Sequence, residues 1–169
     1  MSSITESVDV TVPVPTAYNQ WTQFETFPQF MEGVESIVQR GDAMTHWKIE
    51  VAGVSREFDA RITEQHPDER VAWESVDGPR HAGVVTFHRL DADQTRVTLQ
   101  METDPDGLVE NAADVLGFLS RRAKGDLKRF KEFIESRSVE TGSWRGDVEP
   151  PHASHAKGHH RLTGNDPNA

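Results

Sequence analysis

The sequence predicts an α+β fold, a strongly curved antiparallel sheet of seven strands wrapped around one long C-terminal helix. Three observations predict it. Period-two alternation runs through six consecutive segments between Val34 and Thr103. These segments are joined by short turns, which makes them antiparallel neighbours, because a parallel crossover needs about a dozen residues or more. After the turn "DPDG" the apolar period changes to 3.6 and leaves a single long helix as the only large apolar element able to cover the sheet.

The elements follow in order. The opening "ITESVDVTVPV" alternates from Val8 through Val10, Val12 and Val14, a strand that Pro13 and Pro15 end. A helix starts at Pro15 or Thr16 and carries Ala17, Tyr18, Trp21 and Phe24 at helical spacing. A second short helix is expected around Pro28 to Met31. Val34, Ser36 and Val38 share one strand face, and that strand stops at Gly41–Asp42. Trp47, Ile49 and Val51 alternate next, before a tight turn at Ala52–Gly53. Val54, Arg56, Phe58, Ala60 and Ile62 alternate in a long strand, then Val71, Trp73 and Ser75 in a shorter one. Asp77 to Pro79 turn the chain into "HAGVVTFHRL", and "DADQ" turns it into the last strand. There Val97, Leu99, Met101 and Thr103 face inward. Leu116, Leu119, Ala123, Leu127, Phe130 and Ile134 form the apolar stripe of the closing helix. Gly117 and Gly125 interrupt that helix, each at a cost of about 1 kcal/mol, which a close approach or a bend would explain.

The chain has 169 residues, enough for one ordinary domain. Its net charge of -10 disfavours nucleic acid or an anionic membrane as main partner. Cysteine is absent, which excludes disulfides, a thiol nucleophile and thiolate metal sites. The N-terminus shows no secretory pattern and no apolar run reaches membrane-spanning length, so the expected location is the cytoplasm. From Ser138 to Ala169 the composition turns polar and holds four Gly and three Pro without apolar period. Such a segment cannot offset its chain entropy, so a loosely attached or disordered tail is expected over 138–169 and a folded domain over 1–137.

A rod about 10–12 Å wide cannot cover a concave seven-stranded surface, so the remaining space holds either large side chains or a cavity. The walls available to an elongated apolar cavity are Leu116, Leu119 and Ala123 on the helix, and Trp47, Phe58, Trp73, Leu99 and Met101 on the sheet. Two polar groups stand out. Arg56 shares the inner phase with Phe58, where it either reaches solvent near the turn or anchors a ligand at a cavity mouth. Tyr18, the only tyrosine, either points its hydroxyl at water or bonds a ligand oxygen from the other side of the mouth. Among the histidines, His46 faces outward, His66 lies in a turn, and His81 begins its strand in the phase opposite to His88. No buried Asp presents itself as an orienting partner. His152, His155, His159 and His160 lack the fixed spacing of a structural metal site, and no metal or cofactor is implied. Nucleotide, zinc-protease and serine-hydrolase motifs are missing.

The segments "VPVPTAYNQWTQFETFPQFM", "REFDARITEQHPDERVAWESVDG", "GVVTFHRLDADQTRVTLQM" and "RRAKGDLKRFKEFIE" stand in an order similar to the polyketide cyclase/dehydrase family. That family sits in the START and birch-pollen-allergen-like superfamily and is related to the coenzyme Q-binding family. The resemblance covers Ser2 to Arg137. It implies a helix-grip fold with an internal cavity for a polyketide, a quinone or a lipid-like molecule. Binding of such a hydrophobic small molecule is the expected function. One alternative is an aromatic polyketide cyclase/dehydratase in which Arg56 or Tyr18 stabilises an enolate. The other is a protein-interaction module without ligand, its protein partner unspecified.

Overall fold

The structure, a computed structural model, describes residues 2–51, 53–77, 80–103 and 112–148; the side chains of residues 2, 51, 103 and 112–116 are outside that description. The chain runs β1 (Ser2–Val10), α1 (Val14–Trp21), a 3-10 helix (Phe24–Gln29), β2 (Val34–Gln39), β3 (Met44–Val51), β4 (Val54–His66), β5 (Arg70–Ser75), β6 (His81–Asp91), β7 (Gln94–Thr103) and α2 (Ala112–Arg137). The strands form one antiparallel seven-stranded sheet in the order β1-β7-β6-β5-β4-β3-β2. Each neighbour from β2 to β7 is also the next in sequence, and β1 closes the far edge on β7. This is the sheet-and-helix grip that the resemblance implies.

Several boundaries differ from the sequence expectation for local reasons. β1 stops at Val10, three residues before Pro13. α1 starts at Val14, with proline in its first turn, where a missing N–H costs nothing. The second short helix lies at Phe24–Gln29 rather than Pro28–Met31, because Thr26 Oγ1 caps back to Gln23 O and the aromatic run folds inward. β3 and β4 are joined by a two-residue connection between the register partners Val51 and Val54, with Gly53 at φ 82°. Gly117 and Gly125 meet no other element. A Cβ at either would face only an arginine of the same helix, so neither opens space toward the sheet.

Two ends of the sheet differ in how they are filled. At one end α1 and the 3-10 helix plug the space beside α2. Trp21 packs against Phe27, Phe30 and Phe130 with ring centroids 5.0, 5.7 and 5.1 Å apart, and all four rings are buried. Tyr18 meets Phe87 of β6 edge-on at 5.5 Å. α2 is pinned to the β2 side by Asp126, whose carboxylate accepts the Glu32 N–H at 3.0 Å and an Arg129 N–H. Burial pushes that carboxyl above its ordinary range. Asp126 is thus a buried aspartate, contrary to the sequence expectation, but it serves the helix and not a histidine. Among the described residues no helix is long and apolar enough to cross a membrane.

The first part of the segment expected as a tail lies against α1. Ser138 turns left-handed at φ 64° and closes the helix through its N–H to Ile134 O. Residues 139–148 then run back over α1. Glu140 binds Asn19, the Thr141 N–H donates to Gln20 Oε1, and the Trp144 N–H donates to Thr22 Oγ1. Arg145 reaches Asn19 at 2.6 Å and Asp68 at 2.8 Å. Val148 pairs with Gln65 on the part of β4 that extends past the start of β3. Polar side chains, not apolar ones, make this attachment within the tail expected over 138–169. The part of that expectation covering 149–169 lies outside the described residues.

Two predictions follow from the packing. Truncation after Arg137 removes the covers of the buried side chains Asn19, Gln20 and Thr22. It should lower the melting temperature by at least about 5 °C, on the order of 1–2 kcal/mol for a domain of this size. An unchanged transition in a thermal scan would contradict the observed attachment. Gly83 is the register partner of Trp73, and a Cβ there would lie 2.4 Å from the indole. Gly83→Ala should therefore displace the ring, altering the near-ultraviolet circular dichroism and costing about 1–3 kcal/mol in urea denaturation.

Candidate functional site

The inner face of the sheet is built in rows set by strand register. The deepest row of interest crosses Ile62, Trp73, Gly83, Met101 and Ile4 on five neighbouring strands. The next holds Thr45, Ala60 and Ser75, with His81 beside Ser75 through its N–H to Ser75 Oγ at 3.0 Å. Then come the partners Trp47 and Phe58, and at the rim the partners Ile49 and Arg56. Gly83, without a Cβ, leaves room for the Trp73 ring to lie against its strand.

These rows bring four rings together. Trp47 stacks on Phe58 at 5.9 Å and on Trp73 at 5.8 Å. His81 sits 5.4 Å from Phe58, 5.7 Å from Trp47 and 6.3 Å from Trp73. The polar edges of these rings differ. Trp47 Nε1 donates to Thr45 Oγ1 at 2.7 Å, and that hydroxyl donates to Ala60 O at 3.0 Å, so this indole is fixed and satisfied. Trp73 Nε1 and His81 Nε2 are buried without a hydrogen-bond partner among the described residues. An orphaned buried donor or acceptor costs about 1–3 kcal/mol. Part of the His81 residue reaches the surface while Nε2 is sealed. Burial lowers its pKa to about 4, so the ring is neutral at pH 7.

The structure places the predicted site residues unevenly. Trp47, Phe58, Trp73, Leu99 and Ala123 are buried on the facing surfaces, and Met101 and Leu119 are part-buried. The Leu116 side chain lies outside the described residues. Arg56 stands at the rim. Tyr18 does not share that rim: it lies against Phe87, six residues along β6 from His81, or roughly 20 Å. Its ring is covered by Arg145 at 5.5 Å, and burial raises its pKa. Arg56 and Tyr18 are therefore not two sides of one mouth, and they cannot act on the same ligand atom.

The other histidines stay off the inner wall. His46 lies on the outer face, with Nδ1 at 2.7 Å from Asp59 and Nε2 at 3.1 Å from Glu57, and these bonds raise its pKa. His66 lies 3.5 Å from Asp147. His88 is exposed. Among the described residues no group of three or more acidic or imidazole side chains is placed to hold a metal ion. The tail histidines lie outside those residues. Sequence reasoning named His81 without a role and passed over Gly83. The shared phase of His81, Gly83, Val85 and Phe87 was the available signal for both.

Comparison with known proteins agrees with this architecture. Residues 10–132 match the model of the family described as polyketide cyclase / dehydrase and lipid transport. An uncharacterized 17.2 kDa protein of the melC2-rnhH intergenic region of Streptomyces lincolnensis is 64% identical over 149 residues, 88% of this chain and 99% of that one. Among solved structures, the Zhui aromatase/cyclase from Streptomyces sp. R1128 superposes with a TM-score of 0.67 at 18% identity, over 85% of this chain and 99% of that chain. A START superfamily protein from Mycobacterium smegmatis superposes with a TM-score of 0.57 at 14% identity, over 75% and 97%. At such identities the structures speak for the fold. The family match spans most of the folded chain, and on it the chain is a member of the polyketide cyclase / dehydrase and lipid transport family.

Proposed function

We propose that the chain binds a hydrophobic small molecule of flat or elongated shape between the inner face of the sheet and α2. The observation that carries this reading is the aromatic wall of Trp47, Phe58 and Trp73, in which Trp73 Nε1 and His81 Nε2 have no partner among the described residues. An indole N–H only donates, so it asks for an acceptor oxygen or nitrogen. A mostly apolar surface with a few convergent polar atoms is the usual composition of a small-molecule site. Membership of a family that includes lipid transport supports the same reading.

Cyclisation and dehydration of a polyketide form a second reading, favoured by one observation: a neutral imidazole lies on the wall. That imidazole is a poor base. A pKa of about 4, against 6.5 for the free side chain, makes proton abstraction harder by about 3 kcal/mol. Burial therefore favours His81 as a hydrogen-bonding group over His81 as a general base, and binding over catalysis.

Two outcomes test the reading. Wild-type protein should bind the flat neutral probe N-phenylnaphthylamine with a rise in fluorescence, and Trp73→Ala should weaken that binding by about tenfold or more. Equal affinities would remove the wall from the site. The second outcome concerns pH. His81 has a folded-state pKa below its unfolded value, so the unfolded chain takes up the proton first as pH falls. Stability from this residue is complete above about pH 6.5 and is lost between pH 6.5 and about 4, up to on the order of 3 kcal/mol. Urea denaturation of wild type and His81→Phe across that window should show a shallower pH slope in the variant.

A further inference from the structure

We infer that the molecule held at this site is an amphipathic acid, whose anionic group pairs with Arg56 at the rim while its apolar body lies on Phe58, Trp47 and Trp73. This inference rests on the binding reading above and adds the chemical class of the ligand.

The argument begins with how the arginines are used. Among the described residues only Arg56, Arg122 and Arg129 are part-buried; the other arginines are exposed. Arg122 donates to Glu50 O at 3.0 Å and lies over the Phe118 ring at 4.7 Å. Arg129 donates to Phe30 O at 3.0 Å and to Asp126. Arg56 has no hydrogen bond or ion pair among the described residues. A guanidinium keeps its proton under all ordinary conditions, so a part-buried one without a partner is an unmatched charge.

The local carboxylates do not answer it. Glu57 follows Arg56 on the opposite strand face, where it binds His46. Glu50 alternates outward between Ile49 and Val51, and it is exposed. The inner surface next to Arg56 is apolar: Ile49 across the strand and Phe58 two residues deeper, about 7 Å along β4. From the Arg56 Cα to the row of Ile62 and Trp73 is six residues, roughly 20 Å. The order from rim to depth is therefore cation, aromatic rings, then neutral polar atoms. A ligand entering with its apolar end first would leave its acid group at Arg56, and the neutral His81 deeper inside offers no competing charge. Arg122, held at Glu50 one residue beyond Ile49, adds a second positive charge near the same rim.

Paired probes test this. Anilinonaphthalene sulfonate and N-phenylnaphthylamine share one aromatic skeleton and differ by the anionic group. Fluorescence titration of both into wild type and Arg56→Gln should show about tenfold weaker sulfonate binding in the variant, with the neutral probe changed less than about twofold. Raising salt should weaken the sulfonate in wild type and have little effect in the variant. If both probes bind wild type and Arg56→Gln changes them equally, the acid assignment is overturned and the binding site stands. If neither binds wild type, the binding reading itself falls and takes this inference with it. A thermal scan of Arg56→Gln accompanies the titration, and a rescue by Arg56→Lys of the sulfonate affinity alone would assign the effect to charge.

Discussion

Neighbouring strands lie about 4.8 Å apart and a helix with its side chains is about 10–12 Å across, so one helix covers two or three strands. Among the described residues a sheet of seven strands meets a single long helix. Everything else in the molecule answers that mismatch. At one end α1, the 3-10 helix and the rings of Trp21, Phe27, Phe30 and Phe130 fill the uncovered surface. At the other end, among the described residues, the inner surface carries the ring cluster of Trp47, Phe58, Trp73 and His81, which Phe27 of the 3-10 helix meets at Trp47.

The two tryptophans on that surface use their N–H groups differently. Trp47 and Trp73 stack on each other, and each is buried. Trp47 spends its N–H inside the fold on Thr45, a residue two positions away on the same strand. Trp73 has Gly83 beneath it in place of a side chain that might bond, and its N–H remains unmatched. The same contrast separates Arg129, locked to Asp126 and Phe30, from Arg56. Buried polar atoms without a partner among the described residues also occur elsewhere: Tyr18 Oη and Trp21 Nε1 on α1, and Gln65 Nε2 and Asp68 Oδ1.

Period and turn spacing made the sheet legible in the sequence, because alternation survives wherever one strand face is buried. Phe58, Ala60 and Ile62 were assigned to the core on that ground and are buried. The stripe of Ala123, Leu127, Phe130 and Ile134 was equally plain. What alternation could not give was position along a strand. Arg56 and Tyr18 were both inward-facing polar residues, but only register shows that one lies at the rim and the other beside Phe87. Segment 139–148 was illegible for another reason. Its partners Asn19, Gln20 and Thr22 are polar residues on a helix, and nothing local marks a polar side chain as buried. Asp126, set among the charges of α2, likewise carries no local sign of its burial.

The return of the chain over α1 also sets an order of events during synthesis. The bond between Gln20 and Thr141 spans a sequence separation of 121 residues. At a ribosomal rate of roughly 5–20 residues per second, α1 would wait on the order of ten seconds for its cover. Throughout that interval Asn19, Gln20 and Thr22 keep water as their partner, which their polar side chains accept without penalty. A seam built from apolar side chains would have added to the apolar surface that Ala17, Tyr18 and Trp21 already expose while the rest of the sheet is being made. Because the seam is polar, it can close late without exposing further apolar surface in the meantime.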